Sequence, residues 1–248
     1  MAKGKSICVY GAKGGIGKST FVLNLAGVIS NLNKKVLIID LDLCNGAIAC
    51  LLNINFKKTI YNFCDDYINN RFDLIDTYIN KYNENIDFIA APKDPRQASK
   101  IEAKYLDILI DKCIYKYDLI LFDTTHYLDE INVYALDKAD NILFMTSNDA
   151  IDLKNLKNML NIMQDNEFNN YKLILNESIF PSKTYFSLYD IKSILGININ
   201  YIISSDFYCK KIDSLTIEGE IITLKYHNFK DYKVFELIAK DILGGEHE

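Results

Sequence analysis

Short runs of β-branched and other apolar residues alternate along the chain with longer stretches of helical periodicity, the pattern of parallel strands joined by crossover helices. The apolar runs predict strands at about 6 to 10, 35 to 40, 86 to 91, 118 to 123, 141 to 146, 171 to 176 and 198 to 203. The periodic stretches predict helices at roughly 18 to 31, 98 to 115, 127 to 137, 151 to 164, 184 to 195 and 230 to 242. Residues 44 to 85 are the least regular. Their turns around Asn53 and Asn55, and again around Asn83 and Asn85, predict short helices covering one edge of the sheet. Pro92, Pro95 and Pro181 sit at predicted turns, and neither an internal repeat nor a long Gly/Ser/Pro linker marks a boundary. The expected fold class is α/β, a doubly wound and mostly parallel sheet flanked by helices on both faces, with residues 1 to 248 as a single domain.

Composition narrows the function classes. Nearly half of the 248 residues are hydrophobic and a quarter are charged, enough apolar material for a large core. The apolar run after Lys3 and Lys5 is too short for an export signal, and elsewhere charges such as Asp40 and Asp42 interrupt every run below the ~18 residues of a membrane span. A cytoplasmic protein without an integral membrane segment is expected. Six cysteines (Cys8, Cys44, Cys50, Cys64, Cys113, Cys209) show no CxxC or Cys/His ligand spacing, which fits a reduced compartment. A net charge of −5 with two arginines, Arg71 and Arg96, argues against a dominant nucleic-acid surface and leaves room for a local lysine patch.

The chemistry concentrates in Tyr10-Gly11-Ala12-Lys13-Gly14-Gly15-Ile16-Gly17-Lys18-Ser19-Thr20, which follows a predicted strand and opens a predicted helix. Glycines let the backbone curl so that successive N–H groups point inward, and the helix N-terminus adds partial positive charge. Gly14, Gly15, Ile16, Gly17, Lys18, Ser19 and Thr20 are therefore candidate ATP contacts, with Lys18 reaching the β- and γ-phosphates and Ser19 placed to ligate Mg²⁺. The bland alternative is a glycine turn with solvated lysines. The coincidence of strand, loop, lysine, hydroxyl and helix weighs against it.

Two apolar strands end in carboxylates, at the C-terminal ends where open α/β sheets place ligands. Val36 to Asp42 delivers Asp40 and Asp42, and Leu119 to Asp123 delivers Asp123, which reads as a Mg²⁺-holding carboxylate acting through water. Asp40 and Asp42 also admit a reading as turn or cap carboxylates. His126, in the run Thr124-Thr125-His126-Tyr127, reads first as structural or solvent-facing and second as catalytic.

The segment KGGIGKST, with Ala12 at the first glycine position of the ordinary loop and Lys13 beside it, resembles the deviant Walker A motif of the MinD/ParA superfamily of P-loop ATPases. The resemblance implies slow ATP hydrolysis and a homodimer when ATP-bound, in which Lys13 crosses the interface to the partner's phosphates. A second local phosphate contact is the alternative role for Lys13. It further implies that Asp42 orients the attacking water and supports Mg²⁺, that Asp123 is the Walker B residue, and that Asn176 contacts the nucleotide base. An asparagine at a strand end is also an ordinary turn former. Tyr127 stands where many relatives carry a glycine, so the segment after Asp123 is expected to move differently.

Asp87 to Pro95, Tyr117 to Asp123, Ala135 to Asp140 and Ile217 to Glu220 are similar to the TadZ/CpaE group of pilus-localising ATPases. That implies a protein partner in a polar, pilus or secretion assembly, and recruitment to the inner face of the membrane or a pole through it. Many members carry an N-terminal receiver-like domain, whereas this loop begins within the first dozen residues. The last helix, with Val234, Leu237, Ile238 and Asp241 near helical spacing and an acidic tail, is expected to pack on the core rather than on lipid. Rival readings are a ParA-type partition ATPase, a non-hydrolysing nucleotide-bound scaffold suggested by Tyr127, and, more distantly, an electron-transfer ATPase resembling the nitrogenase iron protein.

Overall fold

Each long strand is apolar on both faces because each face is covered. In the computed structural model, which describes residues 2–179, 185–207, 215 and 217–244, eight strands form one sheet. They are β1 (Lys5–Tyr10), β2 (Val36–Asp40), β3 (Asn80–Lys81), β4 (Ile86–Ile89), β5 (Leu119–Asp123), β6 (Asn141–Thr146), β7 (Tyr171–Asn176) and β8 (Tyr201–Ile203), in the order β3-β4-β2-β5-β1-β6-β7-β8. All neighbours are parallel except β3 and β4.

Alternate residues feed two cores. Ile7, Val9, Val36, Ile38, Leu119, Leu121, Leu143 and Met145 face α1 (Lys18–Asn31), α2 (Ile48–Leu51) and, at the far end of the chain, α8 (Ile222–Lys225) and α9 (Lys230–Leu243). Cys8, Tyr10, Leu37, Ile39, Ile120, Phe122, Ile142 and Phe144 face α3 (Ile60–Ile68), α4 (Ala103–Cys113), α5 (Glu130–Lys138), α6 (Ala150–Asp165) and α7 (Leu188–Leu195). This period-two division, with continuous hydrophobic runs, is what a doubly wound parallel sheet requires. The sheet is therefore the expected one.

The predicted elements appear with instructive departures. The helix expected over 98 to 115 is split: Pro95–Lys100 forms a 3-10 turn capped by the Asp94 carboxylate, which accepts from the Arg96 N–H at 3.0 Å, and α4 starts only at Ala103. Burial of Ile101 in extended conformation overrides the helical periodicity there. The helix expected from 127 begins at Glu130, because Asp129 caps it by accepting from the Asn132 N–H at 2.9 Å. The helix expected from 184 begins at Leu188 behind a Ser187/Asp190 capping box, while residue 184 lies outside the described residues.

The irregular stretch does contain short helices. Thr59 and Asn62 form a capping box that starts α3, and Phe63, Tyr67, Phe72 and Tyr78 pack ring against ring beneath it. Asn83 Oδ1 accepts from the N–H groups of Asn85 and Ile86, making the expected turn. The two-residue antiparallel β3 was not expected, since so short an edge strand carries no periodicity. Helix α9 packs on the core as expected, but through Phe235, Ile238, Ala239 and Ile242, leaving Leu237 exposed. Among the described residues no helix is long and apolar enough to cross a membrane.

Candidate functional site

The chain winds outward from β1 through β2 and β4, returns to insert β5 beside β1, and then crosses to β6 on the other side. A crevice at the C-terminal ends of the strands follows from that reversal, and ligands of open α/β sheets bind in such crevices. The glycine loop from Gly11 to Gly17 runs from the end of β1 to the start of α1, directly over it. Gly17 is the N-cap of α1 with φ 85° and ψ 22°, a left-handed conformation suited to glycine.

Lys18, the first residue of α1, is buried. Burial lowers its pKa, and the carboxylates of Asp123, Asp42 and Asp152 oppose that shift. A lysine held among carboxylates is a charge positioned before its ligand arrives. Asp123 is buried at the end of β5, and neither of its oxygens makes a hydrogen bond of ordinary geometry. Burial raises its pKa; the nearby Ser19 hydroxyl and the Lys18 ammonium pull it down, and Asp42 adds to the rise.

The register sets Asp40 of β2 opposite Asp123 of β5. Asp40 is equally buried and its pKa is raised, first by burial and then by Asp123. Its oxygens are occupied, accepting from the N–H of Asp42 at 3.2 Å and of Ile48 at 3.1 Å, so it braces the 41–48 loop and the start of α2. Asp42 is half-buried, accepts from the Asn45 N–H at 3.2 Å, and lines a cleft of about 300 Å³ with Thr125, Tyr127, Asp129 and Glu130. The two aspartates thus part company, one to structure and one to the cleft.

Lys13 is ion-paired at 3.0 Å with Asp149, the N-cap of α6, a partner with no signature in the sequence. That hydrogen bond, reinforced by the N–H of Asp152, holds the Asp149 carboxyl below the usual carboxylate range. Asp152 is fully buried and accepts from the N–H and hydroxyl of Ser147 at 2.7 and 2.8 Å. The 147–149 turn is in turn fastened to the chain before α7 by two hydrogen bonds between Asn148 and the Phe186 backbone.

Beyond Asp123, Thr124 Oγ1 donates to the Val9 carbonyl at 2.7 Å and Tyr10 donates to the His126 carbonyl at 3.2 Å. The His126 ring lies over the loop, 3.4 Å from where a Cβ on Gly14 would stand, and packs at a tilt against Tyr127, which is exposed. His126 is therefore neither buried structure nor free in solvent. Asn176, at the end of β7, reaches back to the loop and donates to the Ile16 carbonyl at 2.9 Å.

A glycine loop, a buried lysine and orphaned carboxylate oxygens at the reversal point of a parallel sheet are the parts of a P-loop nucleotide-binding protein. A family model described as an AAA domain matches residues 4–179, and the chain belongs to that family, with the MinD/ParA P-loop ATPases as its relatives. It is 24% identical over 254 residues to the septum site-determining protein MinD of Helicobacter pylori, covering 98% of this chain and 91% of that one. Among solved structures, a ParA family ATPase from Chlorobium tepidum superposes with a TM-score of 0.82 at 20% identity, covering 95% of this chain and 98% of the other. MinD from Pyrococcus horikoshii, complexed with Mg-ADP, gives 0.79 at 21% identity, with 96% and 95% covered.

Proposed function

We propose that this chain is an ATPase that binds ATP and Mg²⁺ at the Gly14 to Thr20 loop and pairs face to face with a second copy around the nucleotide. Slow hydrolysis then dissolves the pair, so that nucleotide state decides where a partner assembly sits in the cell. The observation that carries this reading is the Asp123 carboxylate, buried beside Ser19 and Lys18 with neither oxygen in a hydrogen bond of ordinary geometry. Burying a carboxylate whose oxygens lack well-formed hydrogen bonds costs stability, and hard oxygen donors of this kind suit Mg²⁺.

Asp123 and Ser19 would hold the ion, with Asp42 supporting them. Bound Mg²⁺ would neutralise charge on the transferring phosphoryl group. Lys18 neutralises the β- and γ-phosphates, and the loop amides together with the N-terminus of α1 hold them in place. Asp42 sits on a loop braced by Asp40, where its carboxylate can orient an attacking water. Lys13 exchanges Asp149 for the phosphates across the interface. The assembled cargo is a pilus or secretion apparatus, on the strength of the similar segments from Asp87 to Pro95 and Ala135 to Asp140, with a protein partner recruiting the otherwise cytoplasmic chain to the membrane face or a pole.

Asp42→Ala tests the hydrolytic part. Phosphate release at saturating ATP is expected to fall by about 100-fold, while ATP affinity stays within a few-fold. Unchanged release would remove Asp42 from the chemistry, and a wild-type chain inert with its partner present would favour a nucleotide-bound scaffold. The likeness to a ParA family ATPase favours a second reading, partition of plasmids or chromosomes. That reading requires ATP-dependent DNA binding that weakens steeply with salt, against which the net charge of −5 weighs.

A further inference from the structure

We propose that His126 is a phosphate-binding residue, whose imidazole donates an N–H to the terminal phosphate of the bound triphosphate and so makes the site distinguish ATP from ADP. The inference rests on the reading of the Gly14 to Thr20 loop as the ATP site. His126 follows Asp123 by three residues, and the backbone that carries it is fastened to its neighbours. Its carbonyl accepts from the Tyr10 hydroxyl at 3.2 Å, the Thr125 N–H donates to Asn132 Oδ1 at 3.3 Å, and the Thr124 hydroxyl donates to the Val9 carbonyl at 2.7 Å. The segment beyond β5 is thereby tied to β1 and α5, and the half-buried imidazole stands over the loop before any ligand arrives.

The placement of the ring supplies the chemistry. Nδ1 and Cε1 each lie 3.4 Å from where a Cβ on Gly14 would stand, so the side of Gly14 left bare by its missing side chain faces an edge of the imidazole. Tyr127 packs on the ring as well, with 3.9 Å between centroids. The Thr125 hydroxyl is 3.5 Å from Nδ1, and donation there leaves the ring proton on Nε2. Among the described residues Nε2, bonded to the Cε1 that faces the loop, has no hydrogen-bond partner. A donor of this kind beside a phosphate loop is complementary to an anionic oxygen.

Strand order indicates which phosphate it meets. β5 and β2 lie to one side of β1, and β6 and β7 lie to the other. Asp123 and Asp42, proposed to hold the ion and to orient the attacking water, come from the ends of β5 and β2, which puts the phosphate that is cleaved on their side of the loop. His126 reaches Gly14 from that same side. ADP has no phosphate to offer it.

The test compares ligands with and without that phosphate. ADP and a non-hydrolysable ATP analogue, each with Mg²⁺, are titrated calorimetrically into the wild type, His126→Phe, His126→Gln and His126→Ala, and into the same set carrying Lys13→Ala, in which pairing is not expected. His126→Phe keeps a ring over Gly14 and removes the donor. It is expected to weaken the analogue roughly tenfold while ADP stays within about twofold. His126→Gln, whose amide can donate, should recover most of that loss. His126→Ala should repeat the phenylalanine result and serves where that variant does not fold. The loss confined to the analogue is expected with Lys13→Ala as well, which separates a phosphate contact from an effect on pairing. Wild-type affinity for the analogue in His126→Phe, an equal loss of ADP and analogue, or a loss seen only in chains that can pair would each overturn the proposal. Failure of the wild type to bind either ligand would instead sink the nucleotide reading.

Discussion

Lys18→Ala is expected to weaken ATP binding by at least 100-fold. Removing one member of a buried, desolvated charge pair costs on the order of 3 kcal/mol, because the group left behind has no water to turn to. Lys18 faces the carboxylates of Asp123, Asp42 and Asp152 from the first turn of α1, so its loss removes the ammonium that offsets them and leaves the site more negative. A triphosphate entering that site meets repulsion where it had met an ammonium. Titration with ATP and Mg²⁺ reads the effect directly, and near-wild-type affinity would place the phosphates somewhere other than this loop.

Asp123→Asn is expected to stabilise the ligand-free protein while destroying Mg²⁺-dependent hydrolysis. Burial raises the Asp123 pKa in the folded state above its unfolded value. The folded chain therefore takes up a proton there more readily than the unfolded chain, and the ionised form costs stability that is absent in acid and grows as pH rises through that interval. At neutral pH the amide removes that cost, a gain on the order of 1 kcal/mol after the desolvation of the amide itself. Asp40, paired with it in register and raised for the same reason, should shift with it. Thermal unfolding reads the gain, and phosphate release should fall at least 100-fold because the carboxylate that holds the ion is gone. A lower melting temperature would mean that Asp123 has compensation in the folded chain; undiminished release would take it out of the metal site.

The first half of the site was legible because its parts are contiguous. Strand, glycine loop and helix from Lys5 to Asn31 follow one another, and the apolar runs that end at Asp40 and Asp123 place both carboxylates at the same end of the sheet without knowledge of any contact. What was not legible depends on residues far apart in the chain. Asp149 is the N-cap of α6, a role any helix start would suggest, and only folding brings it to Lys13. Asn176 reads as a base contact by resemblance and otherwise as a turn former, and its hold on the Ile16 carbonyl spans most of the chain. His126 over Gly14 and the split of the helix expected over 98 to 115 are likewise tertiary: a ring settles over a residue without a side chain, and Ile101 is drawn into the core. Local pattern gave the elements, and packing chose their ends.

In the proposed switch, ATP makes two copies of this chain one particle through Lys13. The most direct measurement is the mass in solution with Mg²⁺ and a non-hydrolysable ATP analogue, compared with ADP and with Lys13→Ala. About twice the monomer mass of 28.5 kDa is expected with the analogue alone, and the monomer mass with ADP and for the variant in either nucleotide. A wild-type chain that stays monomeric with the analogue bound, or a Lys13→Ala chain that dimerises as readily, would contradict it.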